Sequence, residues 1–339
     1  MQIDGPFYAT LDNAAVEAKR LQADGYDGIY SLEGNTDPFL PLVIASEHCP
    51  DLGIATGIAV ALPRNPSHIA YQAWDLQKFS KGKFILGIGP QIKAHNEKRF
   101  GVPFDRPAAR MREYILAVKA FFDCWQDGAE LNFRGEFFTH TLMTPMFNAG
   151  PNPYGKPPIL LGAMGPLMTQ VAGEVADGLI VHPFNTLPFV LDEQLPAVRK
   201  GLAKAGRSED DFIIQVASMI VTGATEEEYK AADAAMRGLL AFYGSTPAYR
   251  PPMEAVGYGD LQLELNKMTK QGRWDELADL IDDDFLNHFA VCAEPKDVAA
   301  KVYAKYGEFT DRLSIYAPYA SSPGVWPQII SDLKVCAGR

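Results

Sequence analysis

The stretch Leu52-Gly-Ile-Ala-Thr-Gly-Ile-Ala-Val-Ala-Leu-Pro-Arg-Asn-Pro66 decides how this chain folds. It is an apolar, β-branched run of strand length, with a glycine at its centre and a proline-rich turn at its end. A glycine inside a strand pattern marks a bulge, or a place where something flat comes close to the backbone. A second stretch answers it further along: Ile159-Leu-Leu-Gly-Ala-Met-Gly-Pro166, a helical pattern, then Ala176-Asp-Gly-Leu-Ile-Val181. The order is strand, glycine turn, helix with proline in its first turn, strand. Amides at such a helix start have no partner inside the helix, so a phosphate can sit on them. Together the two stretches describe a barrel holding a flat ring at one strand end and a phosphate at another.

Outward from these stretches, short apolar strands alternate with amphipathic helices, the pattern of βα units around a parallel sheet. Strands are predicted at residues 1–6, 28–32, 53–61, 84–88, 159–161, 178–181, 212–221 and 313–316. Helices are predicted at 13–24, 41–48, 66–80, 108–125, 166–176, 188–205, 295–307 and 325–336. In the fourth of these helices Met111, Ile115, Val118, Phe122 and Trp125 recur at helical spacing and read as core. Eight repeats predict an α/β fold, a (β/α)8 TIM barrel. Such a barrel takes ~250 residues. The 339-residue chain is therefore expected to form one domain, 1–339, with insertions near 89–107, 126–158 and 235–290. A doubly wound fold of two domains is disfavoured: no linker stands out, and no GxGxxG follows the first strand.

Forty-two acidic residues outweigh 31 basic ones, for a net charge of −11, and there is no basic run. That balance disfavours nucleic acid and anionic membranes as partners and leaves a small-molecule substrate. Met1-Gln-Ile-Asp-Gly-Pro6 lacks the regions of a signal peptide, and no apolar run reaches the ~18 residues of a membrane span. A cytoplasmic protein is the expectation. Cys49, Cys124, Cys292 and Cys336 are far apart and the six histidines are scattered, so no metal site is expected.

Six motifs in order resemble the bacterial-luciferase-like superfamily, in its coenzyme F420-dependent oxidoreductase branch. They are Ala23-Asp-Gly-Tyr-Asp-Gly28, Ala55-Thr-Gly-Ile-Ala59 with Pro63-Arg-Asn-Pro66, Ser80-Lys-Gly-Lys-Phe-Ile-Leu-Gly-Ile-Gly89, Arg112-Glu-Tyr114, Gly162-Ala-Met-Gly-Pro166 and Ala176-Asp-Gly178. The resemblance implies a TIM barrel with insertions that binds F420, or alternatively FMN, at the C-terminal strand ends. It implies a non-proline cis peptide at Gly57–Ile58 under the ring, with Thr56 beside it, and a side chain at position 57 would be expected to invade the ring site. It places the cofactor phosphate on Gly162, Ala163, Met164, Gly165 and Pro166, with Ile180 near the same site and Asn96 as a further contact. Asp177 is expected to organise its loop instead. By the same resemblance the protein would be a homodimer.

The chain also departs from that family pattern. Sugar-phosphate dehydrogenases of the branch carry an acid then a histidine after strand two, and a glutamate after strand four. Here Glu33 keeps the acid, Gly34 stands where the histidine would be, and Pro90-Gln-Ile-Lys93 has no glutamate. Those differences disfavour a sugar phosphate as substrate. Glu33 and His95 are the candidate catalytic residues by position, because loops after barrel strands line the pocket. The aromatics of the 235–290 insertion, among them Tyr243 and Tyr249, are expected to form a small core of their own. The function implied is hydride transfer between deazaflavin and a small carbonyl, alcohol or activated alkene; an FMN-dependent monooxygenase using O2 is the alternative.

Overall fold

A computed structural model, describing residues 1–339, closes eight parallel strands into a barrel. Strand one is Gln2–Pro6, strand two Gly28–Ser31, strand four Phe84–Gly89, strand five Ile159–Ala163 and strand six Gly178–Val181. Strand seven is Ile213–Val221 and strand eight Arg312–Tyr316. Strand three comes in two pieces, Gly53–Thr56 and Ala59–Val60, and the intervening Gly57–Ile58 peptide bond is cis. Closure is read from the register: Leu313 of strand eight aligns with Ile3 of strand one and Val216 of strand seven, and Ile214 aligns with Leu179 of strand six.

Side chains alternate across each strand, so one row faces the outer helices and the other the barrel interior. Phe84, Leu86 and Ile88 take the outer row and join a core of 63 buried residues shared with helices such as Pro66–Phe79 and Pro107–Asp127. The inner row is built in layers. At the floor Arg312 pairs with Asp4 at 2.5 Å. A Cβ on Gly28 would lie 2.5 Å from that carboxylate, so the ion pair itself fills the space. Burial pushes the Asp4 carboxyl pKa up, while Arg312 pulls against it.

Above the floor, strands four and five carry glycines on their inner face because the broken end of strand three occupies that room. A Cβ on Gly87 would lie 1.9 Å from the Thr56 carbonyl oxygen and 2.8 Å from Ile180 Cδ1. A Cβ on Gly89 would lie 2.7 Å from Ile58 Cδ1, and one on Gly162 would lie 3.0 Å from Ile58 Cγ2. Thr56 Oγ1 donates to the Gly87 carbonyl at 2.7 Å and ties the two strands together below the break.

Several elements differ from the sequence expectation. The segment 89–107 is not all loop: it holds the helix Lys93–Lys98. The helix expected at 188–205 starts as Leu187–Phe189, widens into a π-helical turn at Val190–Gln194, and continues as Leu195–Ala205. Pro196 has no N–H for the usual i−4 bond, which is the local reason for a change of ladder. A short strand, Ala290–Cys292, pairs with the end of strand seven; three residues are too few for periodicity to register. As an expected feature of the 126–158 insertion, a small hairpin outside the barrel pairs Phe133–Arg134 with Thr139–His140, and Glu113 accepts from the amides of Glu136, Phe137 and Phe138 at its turn. The 235–290 insertion packs around 16 buried residues that include Phe184, Met219 and Val221, so its core is seated on the ends of strands six and seven. No helix is long and apolar enough to cross a membrane.

Gly87→Ala is expected to lower stability by ~1–3 kcal/mol, since the atom in the way is backbone and has little freedom to yield. Urea unfolding measures the change; a midpoint equal to wild type would contradict the inner-face packing.

Candidate active site

The C-terminal ends of the strands form the mouth, where barrel enzymes of this architecture carry their chemistry. Gly57, Ile58, Gly162, Ile180 and His182 are half-buried there, while their neighbours Thr56, Ala59, Leu161 and Val181 are buried. Strand two holds the break in strand three from both sides: Gly57 N donates to the Ser31 carbonyl at 2.7 Å, and Glu33 N donates to the Ile58 carbonyl at 3.2 Å. With the Ile58 side chain directed down over Gly89 and Gly162, the 57–58 backbone faces the mouth. A Cβ on Gly57 would meet the Tyr30 ring at 3.1 Å. A side chain at 57 would therefore press on Tyr30. Ile180 aligns in register with Gly162, and its Cδ1 reaches toward Gly87.

The turn after strand five is open. The amides of Met164 and Gly165 donate to no protein acceptor. Gly165 is the N-cap of the ten-residue helix Pro166–Val175 and offers no capping side chain. A Cβ added to it would meet nothing within 4 Å. Its carbonyl accepts from Thr169 Oγ1 at 3.0 Å, and Gln194 Nε2 donates to the Ala163 carbonyl at 3.1 Å, so the turn is braced from behind. Unpaired amides, a helix N-terminus and unfilled space fit an anionic group such as a cofactor phosphate. Asp177 stands at the opposite end of strand five, accepting from Ile159 N at 2.9 Å and from Lys119 at 2.7 Å.

The structure separates the remaining sequence candidates. The Glu33 carboxylate accepts from Val60 N at 2.7 Å and from Arg64 at 2.6 Å, and Arg64 also donates to the Val60 carbonyl. Glu33 thus touches strand three just past the break, with its charge already paired. Asn96 is fully buried; its Nδ2 donates to the carbonyls of Pro90 and Ile92, while its Oδ1 has no partner. His95, one residue earlier on the helix Lys93–Lys98, is exposed and makes no side-chain hydrogen bond to the other candidates.

Sequence reasoning missed His182. Its ring lies against Tyr249 with centroids 4.6 Å apart and the planes tilted by 31°, and meets Tyr243 edge-on at 5.2 Å. The Tyr243 and Tyr316 hydroxyl oxygens are 2.8 Å apart. Burial lowers the His182 pKa to about 4, so the ring is neutral at ordinary pH. Burial also raises the tyrosine pKa values, that of Tyr249 to about 12. The aromatics of the insertion therefore do both things: some build its core, and Tyr243 and Tyr249 face the mouth. One signal was available in the sequence, since His182 directly follows Val181 at the end of a barrel strand.

The family profile described as luciferase-like monooxygenase matches residues 3–312. The chain belongs to that family, whose members are oxidoreductases and monooxygenases. An uncharacterised protein of Mycobacterium tuberculosis is 44% identical over 92% of both chains. A 5,10-methylenetetrahydromethanopterin reductase of Archaeoglobus fulgidus is 26% identical over 84% of this chain and 83% of its own. The coenzyme F420-dependent tetrahydromethanopterin reductase of Methanopyrus kandleri has the same fold, with a TM-score of 0.77 over 97% of this chain and 96% of that one, at 20% identity.

Glu33→Gln should cost ~1.5–3 kcal/mol of stability, the worth of a hydrogen bond to a charged group. A double-mutant cycle with Arg64→Met, read by chemical unfolding, is expected to show a coupling above ~0.5 kcal/mol. Additive losses would mean that the pair does not hold strand three.

Proposed function

We propose that the protein is an F420-dependent oxidoreductase that moves a hydride between the deazaflavin and a small organic substrate. The observation that carries this is the pairing, in one barrel mouth, of a half-buried Gly57–Ile58 backbone platform with an open anion turn at Met164–Gly165. In this reading Thr56, Gly57 and Ile58 support the ring, with Ile180 beneath them. Gly162, Ala163, Met164, Gly165 and Pro166 line the phosphate, which the free amides of Met164 and Gly165 hold, and Asn96 steadies the loop beside the ring. When bound, the cofactor supplies the carbon that gives or takes the hydride. The chain's own part is to orient the reactants, keep water out and handle the substrate oxygen, of which positioning contributes most. Glu33 acts through the backbone: it holds Val60 N and, by its own amide, the Ile58 carbonyl, and so positions the platform. Its ion pair with Arg64 argues against a second role as proton carrier.

The reductase names among the relatives support F420. The family's own description as monooxygenases supports a second reading, in which reduced FMN and O2 take the same mouth. Fluorescence titration with each cofactor separates them: micromolar binding of F420 and none of FMN is expected, and the reverse would replace the first reading by the second. Gly165→Asp is a companion test. It keeps a permitted backbone and meets no atom within 4 Å, so stability should stay within ~0.5 kcal/mol of wild type. A carboxylate set against a phosphate should weaken cofactor binding about tenfold or more, ~1.4 kcal/mol. Unchanged affinity would take the phosphate off this turn.

A further inference from the structure

We propose that His182 and the Tyr243–Tyr316 hydroxyl pair form a binding subsite for the oxygen of an uncharged carbonyl substrate. The inference rests on the hydride-transfer reading above and narrows its substrate. His182 Nδ1 accepts from the Phe184 amide at 3.1 Å. In a neutral imidazole the other nitrogen then carries the proton. Nε2–H has no protein acceptor, so the side chain serves the mouth as a donor and not as a base.

The tyrosines add a second donor. Between the Tyr243 and Tyr316 hydroxyls, 2.8 Å apart, one hydrogen makes the mutual bond and the other is left without an acceptor. His182 and Tyr243 meet edge to face, which keeps both donors on one wall. A carbonyl oxygen has two lone pairs and accepts from two donors. Half-buried donors left unmatched are costly, and such an oxygen would satisfy both.

Charge decides what else the substrate carries. Burial shifts the ionisation of His182, and burial with neighbouring tyrosines, Tyr8 among them, shifts that of Tyr243, Tyr249 and Tyr316, with no carboxylate or cation among the causes. Arg250, which directly follows Tyr249, is already matched with Glu254. A phosphate or carboxylate entering here would lose its hydration and find no counter-charge. The tilted rings of Tyr249 and His182 suit an apolar or ring-shaped remainder.

The test titrates cyclohexanone and cyclohexanecarboxylate into 15N-histidine-labelled protein, with and without bound F420, and follows the His182 Nε2–H resonance and the dissociation constants. Cyclohexanone is expected to shift that resonance and to bind at least tenfold more tightly than the carboxylate. His182→Phe keeps a flat ring but removes the donor, and Tyr243→Phe removes one hydroxyl. Each should weaken ketone binding about five- to tenfold, the ~1–1.4 kcal/mol of one hydrogen bond, while F420 affinity stays within twofold. No saturable ketone binding, a silent His182 resonance, variants that bind as wild type, or a preference for the carboxylate would each overturn the subsite. If F420 fails to bind while the ketone results hold, the cofactor assignment falls and the subsite stands. If F420 binds normally and ketone affinity is indifferent to His182, the subsite falls and the cofactor assignment stands.

Discussion

The Ile58 side chain enters the barrel at a level where strands four and five have no side chains to oppose it. Gly89 and Gly162 leave the space it fills, and Gly87 leaves the space taken by the Thr56 carbonyl and Ile180. Close packing makes this a mutual requirement: a methyl group at any of the three glycines would fall within 3.0 Å of an atom already there. Because the side chain points down, the backbone of the break is presented upward, half-buried, at the mouth. The platform, the anion turn that continues from Gly162, and the wall that rises from Ile180 to His182 all take their positions from that contact.

Charge is arranged around this mouth and kept out of its aromatic wall. Asp4 and Arg312 neutralise each other at the floor, and Glu33 and Arg64 do so behind strand three. Both pairs are largely withdrawn from water, where an unmatched partner would be strongly unfavourable. They act as internal struts: one plugs the barrel below the glycine layer, and the other fixes Val60 just beyond the break. The wall above is made of neutral rings whose polar edges are donors. A flat, uncharged reactant lying between the platform and that wall would be held by shape and by hydrogen bonds, with the ionic attraction left to the open amides at Met164 and Gly165.

The insertions divide the labour. The hairpin near residue 135 is tied to the barrel's outer helix by three amides on Glu113. The 235–290 segment is seated through Phe184, Met219 and Val221 on strands six and seven, and it delivers Tyr243 and Tyr249 over the mouth. A helical segment with a small core of its own holds two aromatic side chains more firmly than a free loop would, because each is backed by packed neighbours.

Local chemistry alone made much of this legible. Alternation of period and the Gly and Pro punctuation located all eight barrel strands, because each strand buries one face and each turn needs a particular backbone. The motif around Gly57 marked the break in strand three, and the Gly165-Pro166 start marked the open helix end; both are properties of a few adjacent residues. Glu33 was legible as a residue beside the site, but its bond to Arg64 was not, since 31 residues separate the two and only the fold brings them together. The contact of position 57 with Tyr30, the exposure of His95 and the meeting of His182 with Tyr243 and Tyr249 were likewise decided by the tertiary structure. Each depends on which strand lies beside which and on what already fills the space between, and neither condition is written in any short stretch of chain.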